Sequence, residues 1–568
     1  MKSKPRKFLI WITVLTLAAV SLPACGGNGG KEGTTLETMA PVDDVWKNPL
    51  PTAGTTKAPP TAAKQDKIIR DALGKDVKWD GDFKKLTDEQ KQQIKDAFKD
   101  EGFIVDVTDD GVKIKDGNTG VTVTEVYETQ KPVPVKTKLS GITPGFIKTF
   151  GSTGNDMFAR VKATADGGFA AVGLYAAANG DCAEADEGWI GTKSMIVKYN
   201  AKGEVEWKSF LGGDNSVTFA SFTQLADGSF IAAGQTQSSD LGVKEGRKIE
   251  MLLVKYNAKG EKQWHKVVGG TKYEYFSSVT ATPDGGFIAG GKAESSDGDF
   301  EGLKDNMIKA VLIKYDADGN VRWKRAMGGS KHNDVEGLAV NAAGDIFAAY
   351  VTNSDDGDFA SIAGRGEADT VIVKYDKNGT FQWVNSFSGS GDDEMTFVAP
   401  SPDGGCVIGG RFNIDAKSDG SFDPYHNAGG YDGFLVKYNK NGTIGWVKSI
   451  AGFLNDRISG IEPITGGYAV VGATESKNRD FAAIGNKGEQ DGFLALISEQ
   501  GELMVMRPIA GSADDLPRAA TSRDGKTIFV VGGTKSNDFD FKGLNKNFDG
   551  TSYECFAATF TAVSSPVS

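Results

Sequence analysis

The chain has 568 residues, among them 74 glycines, 18 prolines and three histidines, with a formal net charge of −11. The acidic balance argues against nucleic acid as a partner, because neutralising phosphates needs clustered Lys and Arg, and three histidines leave little for a His-rich metal site. Abundant glycine without a collagen period suits an all-β chain with many tight turns.

Lys2, Lys4, Arg6 and Lys7 precede an apolar run, Phe8–Leu22, of signal-peptide length and short for a membrane span. It ends in Leu22-Pro23-Ala24-Cys25-Gly26-Gly27, which resembles a bacterial lipobox. That resemblance implies a lipoprotein signal peptide over 1–24, with Cys25 the lipidated first residue of an exported protein held on a bacterial membrane, at the cell surface or in the periplasm. The alternative is an ordinary secretory signal or uncleaved anchor with Cys25 incidental. Residues 25–63, rich in Gly, Thr, Ala and Pro, read as a disordered tether.

Residues 64–140 read as a small α+β domain. Lys64–Leu73 is a short helical stretch, and Thr87-Asp88-Glu89-Gln90 opens a longer helix with Ile94 and Phe98 four apart. Phe103–Lys115 alternates around an Asp-Asp-Gly turn and predicts a hairpin. Asp106, Asp110 and Gly111 hint at a calcium loop, but Gly117 stands where the closing Glu belongs, so the turn is preferred.

Residues 141–568 are ruled by a period. Trp207, Trp264, Trp323, Trp383 and Trp446 recur at intervals of 57, 59, 60 and 63, each closing a VKY–turn–strand phrase or its variant. Such a period with strand-like content marks a β-propeller. Phe146 and Met506 hold the equivalent places one period before and after, which makes seven units. The last unit lacks a fourth strand, and residues 144–151 are expected to supply it, closing the ring and leaving no open edge. In the third unit the strands are placed at Phe276–Thr282, Gly286–Gly291, Val311–Tyr315 and Val321–Met327. Cys182 and Cys555 fall in the first and last units, so a disulfide across the closure is one possibility and separate thiols, with Cys406, the other.

In this topology the one-to-two and three-to-four hairpins share one face of the disc. The opposite face gathers the blade-to-blade links and the long two-to-three loops, such as Ala176–Lys193 and Asn413–Tyr431, and is the default place for binding. Asp156, Glu274, Asp334, Asp393, Asp456 and Asp515 hold similar places before strand one, with Val217 the exception. They are candidate channel-mouth acids for a cation or basic partner, or else turn caps. Ser296-Asp297-Gly298-Asp299-Phe300 and Asp355-Asp356-Gly357-Asp358-Phe359, echoed at Ser418–Phe422, offer Asp297, Asp299, Asp356 and Asp358 to calcium or form turns with a Phe plug. No other metal or cofactor is expected. Strand-three lysines Lys198, Lys255, Lys314, Lys374 and Lys437 read as a solvated face. Trp189, Phe412, Tyr425, His426 and Tyr431 are candidate ligand-face aromatics.

The DGGF second strands, VKYDxxGxxxW-like ends and GGSxxD links resemble the β-propeller repeats of bacterial surface and secreted proteins, across 144–563. KYDADGNVRW is also similar to the strand ends of PQQ-type repeats, which implies that the tryptophans dock neighbouring blades. The expectation is a lipid-anchored binding or scaffold protein, monomeric, whose loop-rich face engages an envelope protein or glycan. The alternatives are a polysaccharide hydrolase or lyase using channel-mouth carboxylates, and a purely structural surface protein.

Overall fold

The computed structural model describes residues 71–73, 86–100, 103–108, 111–116, 122–126, 137–303, 308–360, 368–387, 393–413, 430–544 and 551–566. The apolar run, Cys25, the 25–63 stretch, most of Lys64–Leu73, Asp110, Ser418–Phe422, Tyr425 and His426 lie outside them.

Helix α1 (Asp88–Asp100) opens on a reciprocal capping box. Gln90 N–H donates to the Thr87 hydroxyl at 3.2 Å, and Thr87 N–H donates to Gln90 Oε1 at 2.9 Å. Ile94 and Phe98 are fully buried. The hairpin follows as Phe103–Thr108 and Gly111–Asp116, and a third strand, Thr122–Val126, extends it.

From Thr137 onward the chain builds seven four-stranded antiparallel sheets, the blades of a seven-bladed β-propeller. Blades 1–7 begin at Met157, Val217, Glu274, Asn333, Asp393, Asp456 and Asp515. Blade 3 is typical: Glu274–Ala281, Phe287–Ala293, Ile308–Tyr315 and Val321–Gly329 pair in chain order, close to the strands expected. In blade 7 the third strand, Glu554–Pro566, pairs with Thr137–Phe150 from Cys555↔Phe150 to Pro566↔Thr137, with register shifts between Ala558 and Phe560 and between Val563 and Ser564. The closing strand is thus longer than the sequence suggested. First strands of adjacent blades touch all the way round and so ring a central channel.

Five of the seven blade-to-blade contacts carry the tryptophan period. The rings of Trp207, Trp264, Trp323, Trp383 and Trp446 lie where a Cβ on Gly260, Gly319, Gly379, Gly442 and Gly501 of the next blade's three-to-four hairpin would have to be. Those glycines take φ between +74° and +88°, so the turn and the stacking demand the same residue. The indole N–H of Trp207, Trp383 and Trp446 then donates to a carbonyl of that hairpin, Ala258 at 3.1 Å, Lys440 at 3.0 Å and Glu499 at 2.9 Å. Phe146 packs on Gly203 of blade 1 in the same way and locks the seam. Met506 corrects the sequence reading by one residue: Val505 pairs with Leu496 as Trp446 pairs with Lys437, and Met506 packs on the core shared by blades 5 and 6.

The strand-three lysines correct the sequence reading. Lys198, Lys314, Lys374 and Lys437 are buried, and each ammonium reaches the aspartate of the one-to-two hairpin: Lys198–Asp166 2.8 Å, Lys314–Asp284 3.0 Å, Lys374–Asp345 2.9 Å and Lys437–Asp403 2.7 Å. Lys255 approaches Asp227 at 3.7 Å. Inner strands of a propeller are packed on both faces, so an alternating polar residue has no solvent face. The lysine stem runs over apolar surface until its head finds the turn. Burial raises Asp166, but the hydrogen bonds and charge of Lys198, with Thr164 and Gly168 N–H, outweigh it and hold the carboxyl near about 2.

Cys182, Cys406 and Cys555 are buried free thiols. Cys182 and Cys555 share the core between blades 1 and 7, as ring closure requires, without a disulfide.

Candidate functional site

On the loop face, two carboxylate devices tie two-to-three loops to the preceding blade-to-blade links among the described residues. The first contains the acids before strand one. Asp515 accepts from Gly511 N–H (2.5 Å), Thr534 Oγ1 (2.5 Å) and Ser536 Oγ (2.9 Å), and Asp456 does the same with Gly452, Thr474 and Ser476. Asp156 accepts from Ser152 and Ala176, and Glu274 from Gly270 and Ser295. In each, both oxygens face the fold. Asp393 heads its blade's first strand, and its side chain lies outside the described residues.

Asp334 is the exception. Asn333 fills the staple position, accepting from Thr352 Oγ1 at 2.6 Å and donating to the carbonyls of Ile308 and Lys331. Asp334, one residue on, turns away from the staple and takes a hydrogen bond from Tyr275 of blade 3. Matching acids by type had placed it one residue out of register.

The second device is the Asp-x-Asp motif. Asp299 and Asp358 accept Gly269 and Gly328 N–H at 2.9 and 2.8 Å, while Asp297 and Asp356 accept Thr271 and Ser330 N–H at 3.0 and 2.7 Å. Phe300 and Phe359 are the buried plugs. These carboxylates therefore serve backbone donors, and the described residues contain no cluster of three or more metal-ligating side chains. The same clip recurs at Asn179/Asp181 and Asn478/Asp480, where asparagine hides it from a search for acid pairs, and at the acid pair Asp538/Asp540.

Burial is the dominant influence on Asp456 and Asp515 and pushes both up to about 7, against the hydrogen bonds they accept. Unfolded aspartate titrates near about 3.9. Between these values the folded chain holds a proton that the unfolded chain has released, so stability falls as pH rises through the window. The melting temperature is expected to be higher at about pH 6.5 than at about pH 8.5, and Asp515→Asn should flatten the slope. A flat wild-type profile would contradict this. Further into acid His332, depressed to about 4 chiefly by burial, works in the opposite sense.

The channel is shaped by a β-bulge on every first strand, at Ala159, Ala220, Ser277, Glu336, Thr396, Ser459 and Arg518. Bulges re-aim side chains. Ser277 and Ser459 hydroxyls use theirs to clasp the next blade at Val335 O and Pro517 O. Blades 3 to 5 contribute Tyr275, Asp334, Glu336 and Glu394, and blades 6, 7 and 1 contribute Arg457, Arg518 and Arg160, giving an acidic wall and a basic wall. Arg160 of blade 1 stacks on Phe397 of blade 5 at 5.1 Å. Burial, then repulsion from Asp334 and Glu394, raises Glu336 well above the carboxylate range. Arg518 is lowered to about 9 by burial and then by the charge of Arg457, with Arg160 adding to the effect.

Above the basic wall lies a cavity of about 230 Å³ lined by Arg411, Tyr431, Asn455, Asp456, Arg457, Glu475 and Gln490, among others. Through Glu475 and Gln490 it joins a groove of about 450 Å³ toward blade 7. Of the candidate aromatics, Tyr431 faces this cavity, with the Arg411 guanidinium 4.5 Å over its ring. Phe412 is fully buried and packs edge-on to Phe434, so it belongs to the core. Trp189 is half-buried, lying over Gly212. The sequence reading missed the exposed Phe453, Leu454 and Phe539 beside the groove, because they sit in links and turns without a period.

No protein-family model matches the chain. Regulatory protein FlaEY of Caulobacter vibrioides is 25% identical over 260 residues, covering 40% of this chain and 26% of that relative's length. Among solved structures, hydrazine synthase of Kuenenia stuttgartiensis is similar at a TM-score of 0.40 with 10% identity, over 71% of this chain and 96% of that one. YCF48 bound to D1 peptide gives 0.37 and 9%, over 76% and 100%. The PQQ-bound aldose sugar dehydrogenase of Streptomyces coelicolor gives 0.29 and 12%, over 73% and 98%. At these levels none of those proteins' activities transfers to this chain.

Proposed function

We propose that this protein is a lipid-anchored, extracytoplasmic binding or scaffold protein whose loop face engages an envelope protein or glycan. The observation that carries the reading is the open groove across blades 5–7, bordered by Phe453 (53% exposed), Leu454 (52%) and Phe539 (59%) on a rigid disc. Exposed apolar residues clustered around a polar groove are a mark of interaction surfaces. The signal-like N-terminus, Cys25 and the Gly/Thr-rich stretch supply the anchor and tether. A hydrolase or lyase is less well supported, because Asp156, Glu274, Asp456 and Asp515 turn both oxygens into the fold.

The test is envelope pull-down and glycan-array capture with the wild type and two double variants. Phe453→Asp/Leu454→Asp, on the loop face, should abolish capture. Val205→Asp/Ile444→Asp, on exposed positions near the hairpin face, should not. Equal capture by all three proteins would defeat the reading.

A further inference from the structure

We infer that the groove of blades 5–7 is a site for an acidic glycan, with a sugar carboxylate seated on Arg457 and sugar rings lying along the exposed aromatics. This rests on the loop-face reading above and names the ligand class for it.

Arg457 lines the 230 Å³ cavity and, among the described residues, has no ion-pair partner. The carboxylates around it are held by other groups. Glu394 takes Arg411 at 2.5–2.6 Å, and Glu475 accepts from Asn455 and Gln490, both at 2.9 Å. Arg518 and Arg160 stand in the channel beneath, near enough for their charges to be felt, and neither has a carboxylate within ion-pair distance among the described residues. Glu336, Glu394 and Glu475 act on Arg160 and Arg457 only from beyond ion-pair distance, so an anion entering the cavity can take the Arg457 fork directly, and an arginine fork matches a carboxylate.

The adjoining groove suits a saccharide. In it Asp514 is neutralised by Lys535 at 2.9 Å, and Glu489 is left to accept a hydroxyl. Two residues at its border are held at a backbone cost. The clip turn takes positive φ, and Gly180, Gly298 and Gly357 fill it at +56° to +62°. Blades 6 and 7 place Arg479 (φ +49°) and Phe539 (φ +46°) there instead. A left-handed conformation is unfavourable for a non-glycine residue, and unforced strain of this kind gathers at functional sites. Both side chains point outward. The Arg479 guanidinium lies 4.8 Å over Phe453, and the Lys487 ammonium 4.4 Å over Phe539, so each aromatic stands beside a cation.

The experiment uses the full-length chain and calorimetric titration at low salt with a trigalacturonate and its methyl ester, which keeps the rings but not the charge. The wild type should bind the acid at least about tenfold more tightly than the ester, as for one charge-assisted pair. Arg457→Gln should erase that preference. Phe539→Gly should weaken both ligands alike while raising the melting temperature, since glycine relieves the turn. Equal affinity for acid and ester in the wild type, a preference that survives Arg457→Gln, or capture of an acidic peptide in place of the uronate would overturn the inference. Loop-face capture of another partner, unaffected by Arg457→Gln, would overturn it while leaving the binding role intact.

Discussion

A chain beginning at Gly151 is expected to lose about 10 °C or more of melting temperature and to self-associate, and a synthetic Thr137–Phe150 peptide added in trans should restore both properties. Without that strand, Glu554–Pro566 becomes an open edge, a template for pairing with another copy. The loss also reaches both neighbouring cores. Leu139, with Ile142 and Ile147, packs into the cluster between blades 6 and 7, while Phe146 and Phe150 pack into the one between blades 7 and 1. Burying a large apolar side chain contributes about 1.5–3 kcal/mol, so several such losses together dominate any single contact in the ring. Peptide rescue separates closure from a general dependence on length. A truncated chain that stayed monomeric at an unchanged melting temperature would show that the seam is not closed by this strand.

Asp403→Ala is expected to cost about 3 kcal/mol, whereas Lys437→Met should cost less than about 1 kcal/mol, and the double variant should match Lys437→Met alone. Lys437 is 6% exposed, and its ammonium holds both Asp403 oxygens, at 2.9 and 2.7 Å, and the Tyr438 carbonyl at 2.7 Å. Burial lowers its proton affinity, while the hydrogen bond and charge of Asp403 oppose the shift. Removing the aspartate strands the ammonium in an apolar wall. Removing the lysine leaves Asp403 near the surface, where water replaces its partner, and methionine keeps the stem's packing. Thermal melts of the three variants check the order. Equal losses from the two single changes would mean that the pair acts as an ordinary surface bridge.

These clamps show what a single sequence yields and where it stops. The tryptophans and hairpin glycines were readable because each repeats, the missing fourth strand because it interrupts the repeat, and together they set seven blades and their closure. The lysines repeat as well, yet their environment was misjudged, because alternation signals a solvated face only in a sheet with one face open. Asp334 was misplaced because aspartate and asparagine perform the same stapling, so that Asn333 fills the role and frees its neighbour. Arg457, Arg518 and Arg160 were invisible for a different reason. Only Arg518 stands at a bulge, where the other blades put Ala, Ser, Thr or Glu; Arg160 follows a bulge and Arg457 precedes one by two residues, and residues that break the period carry no signal.

The closing strand also has a direction. Third and fourth strands meet in the hairpins, so every fourth strand starts on the hairpin face and ends on the loop face. Thr137 accordingly enters the disc from behind, and Phe150 emerges at the front. Whatever precedes Thr137 is joined to the back of the propeller. The first residue of the closing strand and the groove of blades 5–7 thus lie on opposite faces of the propeller.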